Sequence, residues 1–168
     1  IEENKLVSEY GKLKASAQID FDGKIYNLSS ISVFLQDDDR QTRKRAYNAR
    51  MQFYQDNEKK FDQIYDKLVK VRTQMSKELG YDTFTELGYL RMHRFDYNRD
   101  MVANFRQQIL NHLVPLNSEL YQRQAKRLGL KKLDYYDFPY HFSTGNPTPK
   151  KDPDGLVEAA VNMYHQMH

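Results

Sequence analysis

The 168-residue sequence contains no cysteine and no tryptophan, and only seven glycines and five prolines. Without cysteine the chain has no disulfide, no thiolate nucleophile and no thiolate metal ligand, which suits a reducing compartment. The glycines lie at least eight residues apart, so neither a G-x-G-x-x-G loop, a Walker A loop nor a G-x-S-x-G elbow is present. Nucleotide binding through these loops is therefore excluded.

Long apolar runs and an excess of one charge are also missing. No run approaches the ~20 apolar residues that a membrane span needs, and the first residues lack the basic and apolar stretches of a signal peptide. Because 26 Lys and Arg are interspersed with 23 Asp and Glu, the net charge is only +3, which does not indicate nucleic-acid binding. We expect a cytoplasmic protein without nucleic-acid or membrane partners.

The five histidines do not form a zinc-peptidase motif. An H-E-x-x-H motif needs a Glu directly after its first His, and no His in this sequence precedes a Glu. His165 and His168 have a spacing that permits metal binding, but we favour two solvent-facing side chains near a helix end. His112, close to Pro115, is expected to serve packing rather than catalysis. No catalytic, cofactor-binding or metal-binding residue is predicted.

Apolar residues at helical spacing predict a mainly α fold of long antiparallel helices. The first helix is expected to end near Ser16. Asp39 and its acidic neighbours provide a cap for a helix that meets no Pro or Gly until Gly80, which predicts one long helix of about forty residues. Its apolar stripe is interrupted at Asn57 and is expected to pack as core.

Three further helices are predicted after Gly80. One begins near Thr83, and a second is capped by Asn98 or Asp100, kinked before Pro115 and ended by Gly129. The last begins at Asp152-Pro153. Its expected buried face consists of Leu156, Val157, Ala160, Val161 and Tyr164.

Two parts of the sequence are not typical of long helices. Residues 18–28 predict a short β-hairpin, because Asp22-Gly23 tolerates the two positive φ angles of a type I′ turn. Ser29 or Ser30 is then expected to cap a brief helix that reaches Leu35. Residues 130–151 are rich in aromatic residues, Pro and Gly, which predicts one irregular segment.

The most suggestive polar cluster contains Tyr89, Arg91, Arg94, Asp96 and Tyr97. Arg and Tyr together can hold a peptide backbone or a terminal carboxylate. The alternative is an ion pair and a turn that fix the break between two helices, and we favour this second interpretation.

Several phrases in a fixed order resemble a known family. They are DRQTRKRAY at 39–47, LVKVR at 68–72, LGY at 79–81, ELGY at 86–89, RFDY at 94–97, RQ at 123–124, YYD at 135–137 and TGNPTP at 144–149. Together they resemble the oligoendopeptidase F family, especially its Pz-peptidase-like branch, among the thimet-oligopeptidase-like zinc metallopeptidases.

The resemblance implies a helical peptidase whose channel admits short peptides. Residues 1–45 would match the end of an N-terminal helical region, and 46–168 the opening helices of the peptidase domain. Because the chain lacks an initiator Met and stops inside a predicted helix, we expect a non-catalytic fragment that ends before H-E-x-x-H. Zinc would belong to the parent enzyme and not to this fragment.

The resemblance also implies partners. These would be short peptides, through the parent enzyme, and the rest of the peptidase domain. Arg94, Tyr97 or the aromatic segment 135–142 would then line the channel. Apolar faces that the rest of the domain covers in the parent would be exposed in the fragment and would favour self-association. The alternative hypothesis is a stand-alone helical protein-interaction module.

Overall fold

The computed structural model describes residues 1–167 and confirms a mainly α fold with one short hairpin. The elements are α1 (Glu2–Ala15), β1 (Ile19–Phe21), β2 (Lys24–Tyr26), a 3-10 helix (Ser30–Gln36), α2 (Arg40–Asp56), α3 (Glu58–Glu78), α4 (Phe84–Arg91), α5 (Arg99–Gln108), a π-helical turn (Ile109–Leu113), α6 (Val114–Arg127) and α7 (Pro153–Gln166). No helix within these residues is both long and apolar enough to cross a bilayer.

The β-hairpin has the predicted turn. Asp22 and Gly23 have φ angles of 52° and 77°, as the two central residues of a type I′ turn require. The antiparallel register pairs Ile19 with Tyr26 and Phe21 with Lys24. Because alternate strand residues face one side, Ile19 and Phe21 both point into the core.

The 3-10 helix is capped differently from the prediction. The side-chain oxygen of Asn27 accepts hydrogen bonds from the backbone N–H groups of Ser29 and Ser30, at 2.9 and 2.8 Å. Ser29 occupies the predicted N-cap position but makes no cap bond with its side chain, because Asn27 forms an Asx turn that takes this role. The helix then buries Ile31 and Leu35 against the hairpin and α2.

The predicted single long helix is wrong, because it is broken at Asn57 into α2 and α3. The Asn57 side-chain amide donates a hydrogen bond to the carbonyl of Phe53 at 2.9 Å, which is the acceptor that its own backbone N–H would use in a continuous helix. Asn57 has φ −110° and ψ 10°, outside the helical range. The predicted domain boundary after residue 45 falls inside α2 and stays a prediction.

Helices α1 and α3 form an antiparallel pair. Leu6 is buried against Ile64 and Leu68 in a second core. The rings of Tyr10 and Phe61 meet edge to face at 5.7 Å, so later residues of α1 contact earlier residues of α3. This pairing confirms part of the predicted core stripe.

Helices α5 and α6 are joined by the π-helical turn rather than by a simple kink. Asn98 caps α5 by accepting a hydrogen bond from the Met101 N–H at 3.0 Å. Pro115 has no N–H to donate to the carbonyl four residues earlier, and the chain widens to a π turn at this place. Gly129, with φ +68°, ends α6 as predicted.

The last helix begins as predicted but has no buried face. The carboxylate of Asp152 accepts a hydrogen bond from the Gly155 N–H at 2.8 Å, and Pro153 occupies the first helical position. The predicted burial is wrong, because no described element packs over α7 and none of its residues is buried. Val157 and Tyr164 are 64% and 63% exposed.

The hairpin core generates a stability prediction. Ile31 is fully buried whereas Ile25 is 64% exposed, so Ile31→Ala creates a cavity and Ile25→Ala does not. We expect Ile31→Ala to lower the free energy of unfolding by about 2–4 kcal/mol and Ile25→Ala by less than about 1 kcal/mol. Urea denaturation of the two variants checks this, and equal losses would contradict the assigned core.

Candidate functional site

The histidines do not meet in a catalytic arrangement. His93, His112, His141 and His165 lie on different elements, and no three His, Asp or Glu side chains within residues 1–167 converge as metal ligands. His112 makes no side-chain hydrogen bond within the same residues. The predicted pair of His165 and His168 cannot be described, because His168 lies outside the described residues.

The strongest polar site is a buried charge network centred on Asp137. Its carboxylate accepts two hydrogen bonds from Arg40, with Nη2 at 2.8 Å, and one from Arg43 Nη2 at 3.1 Å. The backbone N–H of Asp134 donates a further bond at 2.9 Å. The side chain of Asp137 is fully buried and that of Arg43 is 3% exposed, so two arginines from the start of α2 hold the irregular segment.

Aromatic rings complete the network. The guanidinium of Arg43 lies 4.2 Å from the ring centre of Tyr140, and that of Arg40 lies 5.1 Å from Tyr136. Both distances are typical of cation–π contacts. The hydroxyl of Tyr140 also donates a hydrogen bond to Asp38 at 2.9 Å.

Helix α6 binds the other side of the irregular segment. The side-chain amide of Gln124 donates to the carbonyl of Tyr140 at 2.7 Å, and Arg127 donates to the carbonyl of His141 at 2.7 Å. The rings of Tyr121 and Phe138 pack at 4.7 Å. Side chains therefore replace the backbone partners that a helix or sheet would supply.

The network lowers the pKa of Asp137. Burial alone would raise the pKa, but the hydrogen bonds from Arg40, the Asp134 N–H and Arg43 favour the ionised form and outweigh it. The carboxylate is therefore held in its charged state.

Residue-by-residue inspection of the sequence missed this network. Arg40 and Asp137 are 97 residues apart, and each lies among other charges, so no local pattern indicates that they pair. The only available signal was that both belong to phrases that resemble the same family, DRQTRKRAY and YYD. That signal indicates the family but not which of these residues contact each other.

A second network joins the three helices α1, α3 and α4. Glu3 is buried and accepts hydrogen bonds from Arg72 at 2.8 Å and from Arg91 at 2.8 and 3.1 Å. The Arg91 hydrogen bonds are the main cause of the lowered pKa of Glu3. Arg91 thus forms an ion pair with Glu3 of α1 and not with a member of its own cluster, so the favoured interpretation of that cluster stays a prediction.

Two other members of that predicted cluster lie beside an apolar pocket. Arg94 stacks on the ring of Tyr89, with the guanidinium 5.3 Å from the ring centre, and the rings of Tyr89 and Tyr97 pack at 6.2 Å. Arg94 and Tyr97 line the pocket, whose volume is about 420 Å³, whereas exposed Asp96 does not. The two arginines therefore have different surroundings: Arg91 belongs to the Glu3 network, and Arg94 lines the pocket.

The aromatic segment 135–142 is only partly accessible. Tyr136 and Tyr140 are buried in the Asp137 network. Tyr135, Phe138 and Phe142 remain 46%, 40% and 39% exposed. Only these three aromatic side chains of the segment are available to a channel or another partner.

Apolar side chains also line the exposed face of α5 and α6. Within residues 1–167, neither α5 nor the π-helical turn buries any residue. Four apolar side chains on these elements, Phe105, Leu113, Leu116 and Leu120, are 64%, 54%, 51% and 50% exposed. A continuous apolar face of this kind is typical of a surface that another element covers.

Comparison with known proteins identifies relatives over nearly the whole chain. The sequence pattern of peptidase family M3 matches residues 33–164. An X-ray structure named as an oligoendopeptidase F shares 48% identity over 99% of this chain, with a TM-score of 0.95. Pz peptidase A with an inhibitor shares 49%, with a TM-score of 0.94 over 99%. No curated protein sequence matches significantly.

A third structure, named as an oligoendopeptidase F from Bacillus anthracis strain Ames, shares 51% identity with a TM-score of 0.91 over 99% of this chain. The chain spans 30% of the length of each of these three structures. The fold and the matches define a helical member of a peptidase family that is similar to one part of these structures. The chain belongs to peptidase family M3, and its resemblance to oligoendopeptidase F is confirmed.

The residues that the structure describes do not form a zinc site. Family M3 peptidases are generally zinc-dependent, and zinc in proteins takes nitrogen, sulfur or carboxylate ligands in a tetrahedral set. No three such side chains converge in the part of the chain that the structure describes. We therefore assign no step of a metal-dependent reaction to these residues.

Loss of the Asp137 charge should destabilise the chain strongly. Asp137→Asn leaves the buried Arg43 cation without its carboxylate, whereas Asp66→Asn removes the same charge from an exposed pair with Lys70. We expect a loss of about 3 kcal/mol in the free energy of unfolding for Asp137→Asn and less than about 0.5 kcal/mol for Asp66→Asn. Chemical denaturation at neutral pH measures both, and equal effects would contradict a buried network.

Acid should release the same network. A carboxylate with a lowered folded pKa stabilises the folded state above its unfolded pKa, and this contribution is lost as pH falls through the folded pKa. We expect stability to drop below about pH 4, the unfolded range of Asp. The drop should be smaller in Asp137→Asn, where the contribution is already missing, with a remainder from Glu3. Parallel pH profiles of wild type and variant would disprove this.

Proposed function

We propose that this chain forms a non-catalytic helical part of a zinc-dependent oligoendopeptidase that hydrolyses short peptides in an enclosed channel. The observation that carries the proposal is the family match over residues 33–164, together with 48–51% identity to oligoendopeptidase F and Pz peptidase A structures. The zinc ligands would come from other parts of the whole protein.

The contribution of this part would be a rigid wall. Two networks, each with one buried carboxylate and two arginines, fix the irregular segment to α2 and fix α1 to α3 and α4. Such fixed surfaces position substrates better than mobile loops do. The half-buried side chain of Arg94 and the exposed side chains of Tyr97 and Phe138 are the candidates for facing a peptide.

The apolar faces of α6 and α7 would be covered by the rest of the peptidase domain. Val157 of α7 and Leu120 of α6 are 64% and 50% exposed, which is unfavourable for apolar side chains in water. In the isolated chain the same faces would promote self-association. Sedimentation velocity measures whether the isolated chain self-associates more than the whole protein does.

The alternative, a stand-alone helical interaction module, is not favoured. Family membership and the high identity to peptidase structures explain the whole chain without it. The expected cytoplasmic location stays a prediction.

The central test compares the whole parent protein with the isolated chain. We expect the parent to cleave quenched fluorescent peptides, to lose this activity in a chelator and to regain it with zinc. The isolated chain should release no fluorescence at the same concentration, because no three potential zinc ligands converge within its described residues.

Two results would overturn the proposal. Zinc-dependent cleavage by the pure 168-residue chain would show that it is catalytic on its own. A folded parent protein without zinc-dependent activity on any short peptide would disprove the assigned function. A folded protein substrate is the control for the channel, since it should not be cleaved.

A further inference from the structure

Helix α4 ends in a Schellman motif that contains an unusual residue. The Arg94 N–H donates to the carbonyl of Tyr89, and the His93 N–H donates to the carbonyl of Leu90, each at 3.0 Å. The left-handed position of this motif usually holds Gly, but here His93 occupies it with φ +54°. The left-handed conformation is unfavourable for a residue other than Gly, so the surrounding contacts determine this turn.

The turn fixes the direction of Arg94. In a Schellman motif a hydrophobic contact often joins a residue of the last helical turn to the second residue beyond the C-cap. In this chain these two residues are Tyr89 and Arg94. In this chain the contact is a cation–π pair, with 5.3 Å between the guanidinium and the ring centre. Tyr97, in the same connection between α4 and α5, packs against the ring of Tyr89 with 6.2 Å between the ring centres. The guanidinium is therefore oriented before any ligand arrives.

Arg94 differs from the neighbouring arginines in its lack of a carboxylate. Arg72 and Arg91 both pair with Glu3. Within residues 1–167 no Asp or Glu forms an ion pair with Arg94. Arg72 and Arg91 thus form ion pairs within the chain, whereas no described carboxylate neutralises the charge of Arg94.

The charge stands at the edge of an apolar pocket. Met101, Val102 and Phe105, from the first turns of α5, form the wall opposite Arg94 and Tyr97, and the volume is about 420 Å³. Phe105 and Met101 are 64% and 55% exposed, so the wall is accessible. The pocket can hold an apolar side chain while the guanidinium binds a carboxylate with two parallel hydrogen bonds.

We propose that this pocket binds the C-terminal end of a peptide, with the terminal carboxylate on Arg94 and an apolar last side chain against Phe105. This inference rests on the proposed function for the nature of the ligand. It adds a preference for free carboxyl termini, which the family match does not supply. Arg94 is a binding residue and takes no part in bond cleavage.

A binding experiment tests the pocket separately from hydrolysis. The probe is a fluorescein-labelled tetrapeptide that ends in Phe, with N-methylated interior amides that resist cleavage, made with a free carboxylate and with a carboxamide. Fluorescence anisotropy with the full-length parent protein measures both dissociation constants. We expect the acid to bind about tenfold more tightly than the amide, as a charged hydrogen-bond pair provides.

Three variants test which interactions cause the preference for the acid over the amide. Arg94→Gln should reduce the preference for the acid to about onefold, because the ion pair is lost. Arg106→Gln is the matched control, since Arg106 is exposed on α5 and makes no ion pair within the described residues, and it should leave the preference unchanged. Phe105→Ala should weaken both peptides about equally, because it removes only apolar contact.

The outcomes separate this inference from the proposed function. Equal binding of acid and amide by wild type, or an unchanged preference in Arg94→Gln, would overturn the pocket even if the parent hydrolyses peptides. A lower melting temperature in Arg94→Gln with no change in preference would show that Arg94 pairs with an acidic side chain of the parent instead. The expected preference without any hydrolysis would support the pocket and disprove only the proposed function.

Discussion

The position of the irregular segment depends on one buried carboxylate. Residues 130–151 contain no helix or strand, so their backbone polar groups need partners from elsewhere. Asp137 receives hydrogen bonds from Arg40 and Arg43 across 97 and 94 residues of chain. Gln124 binds the carbonyls on the far side of the segment. Two helices distant in sequence are therefore joined through a segment that has little structure of its own.

The Asp137 network fixes the position of the irregular segment more than it adds to stability. Placing Asp137 and Arg43 out of water is costly, and their attraction repays the cost only because the geometry and hydrogen bonds are nearly complete. An apolar cluster would give similar stability but would allow several packings. The Glu3 network repeats the same design between α1, α3 and α4. In the proposed channel wall, such fixed geometry would hold a bound peptide in one position.

Local signals in the sequence predicted local structure well. Asp39, Asn98 and Asp152 cap the helices that their positions predicted, and Gly23 and Gly129 have the positive φ expected of them. Each of these features depends on a few neighbouring residues, so the sequence contains all the information needed. The family resemblance was also predictable, because it depends on the order of phrases.

The failures have a different origin. At Asn57 the side chain competes for the Phe53 carbonyl, and propensity alone does not decide between a continuous helix and a break. The Asp137 network joins residues too far apart for any local pattern. At α7 the apolar periodicity was real, but a pattern of this kind shows which face is apolar and not whether residues 1–167 supply the cover.

The uncovered face and the free charge of Arg94 constrain each other. An apolar surface such as that of Phe105 gains free energy when another element covers it, but an unpaired guanidinium pays a large desolvation cost under the same cover. The Arg94 guanidinium is therefore stable in two arrangements. Either it stays in contact with water, or it is covered by an element that also supplies a carboxylate. A peptide terminus with an apolar last residue brings both the carboxylate and the apolar surface. The pocket can then remain open in the whole protein and become fully paired only when it is occupied.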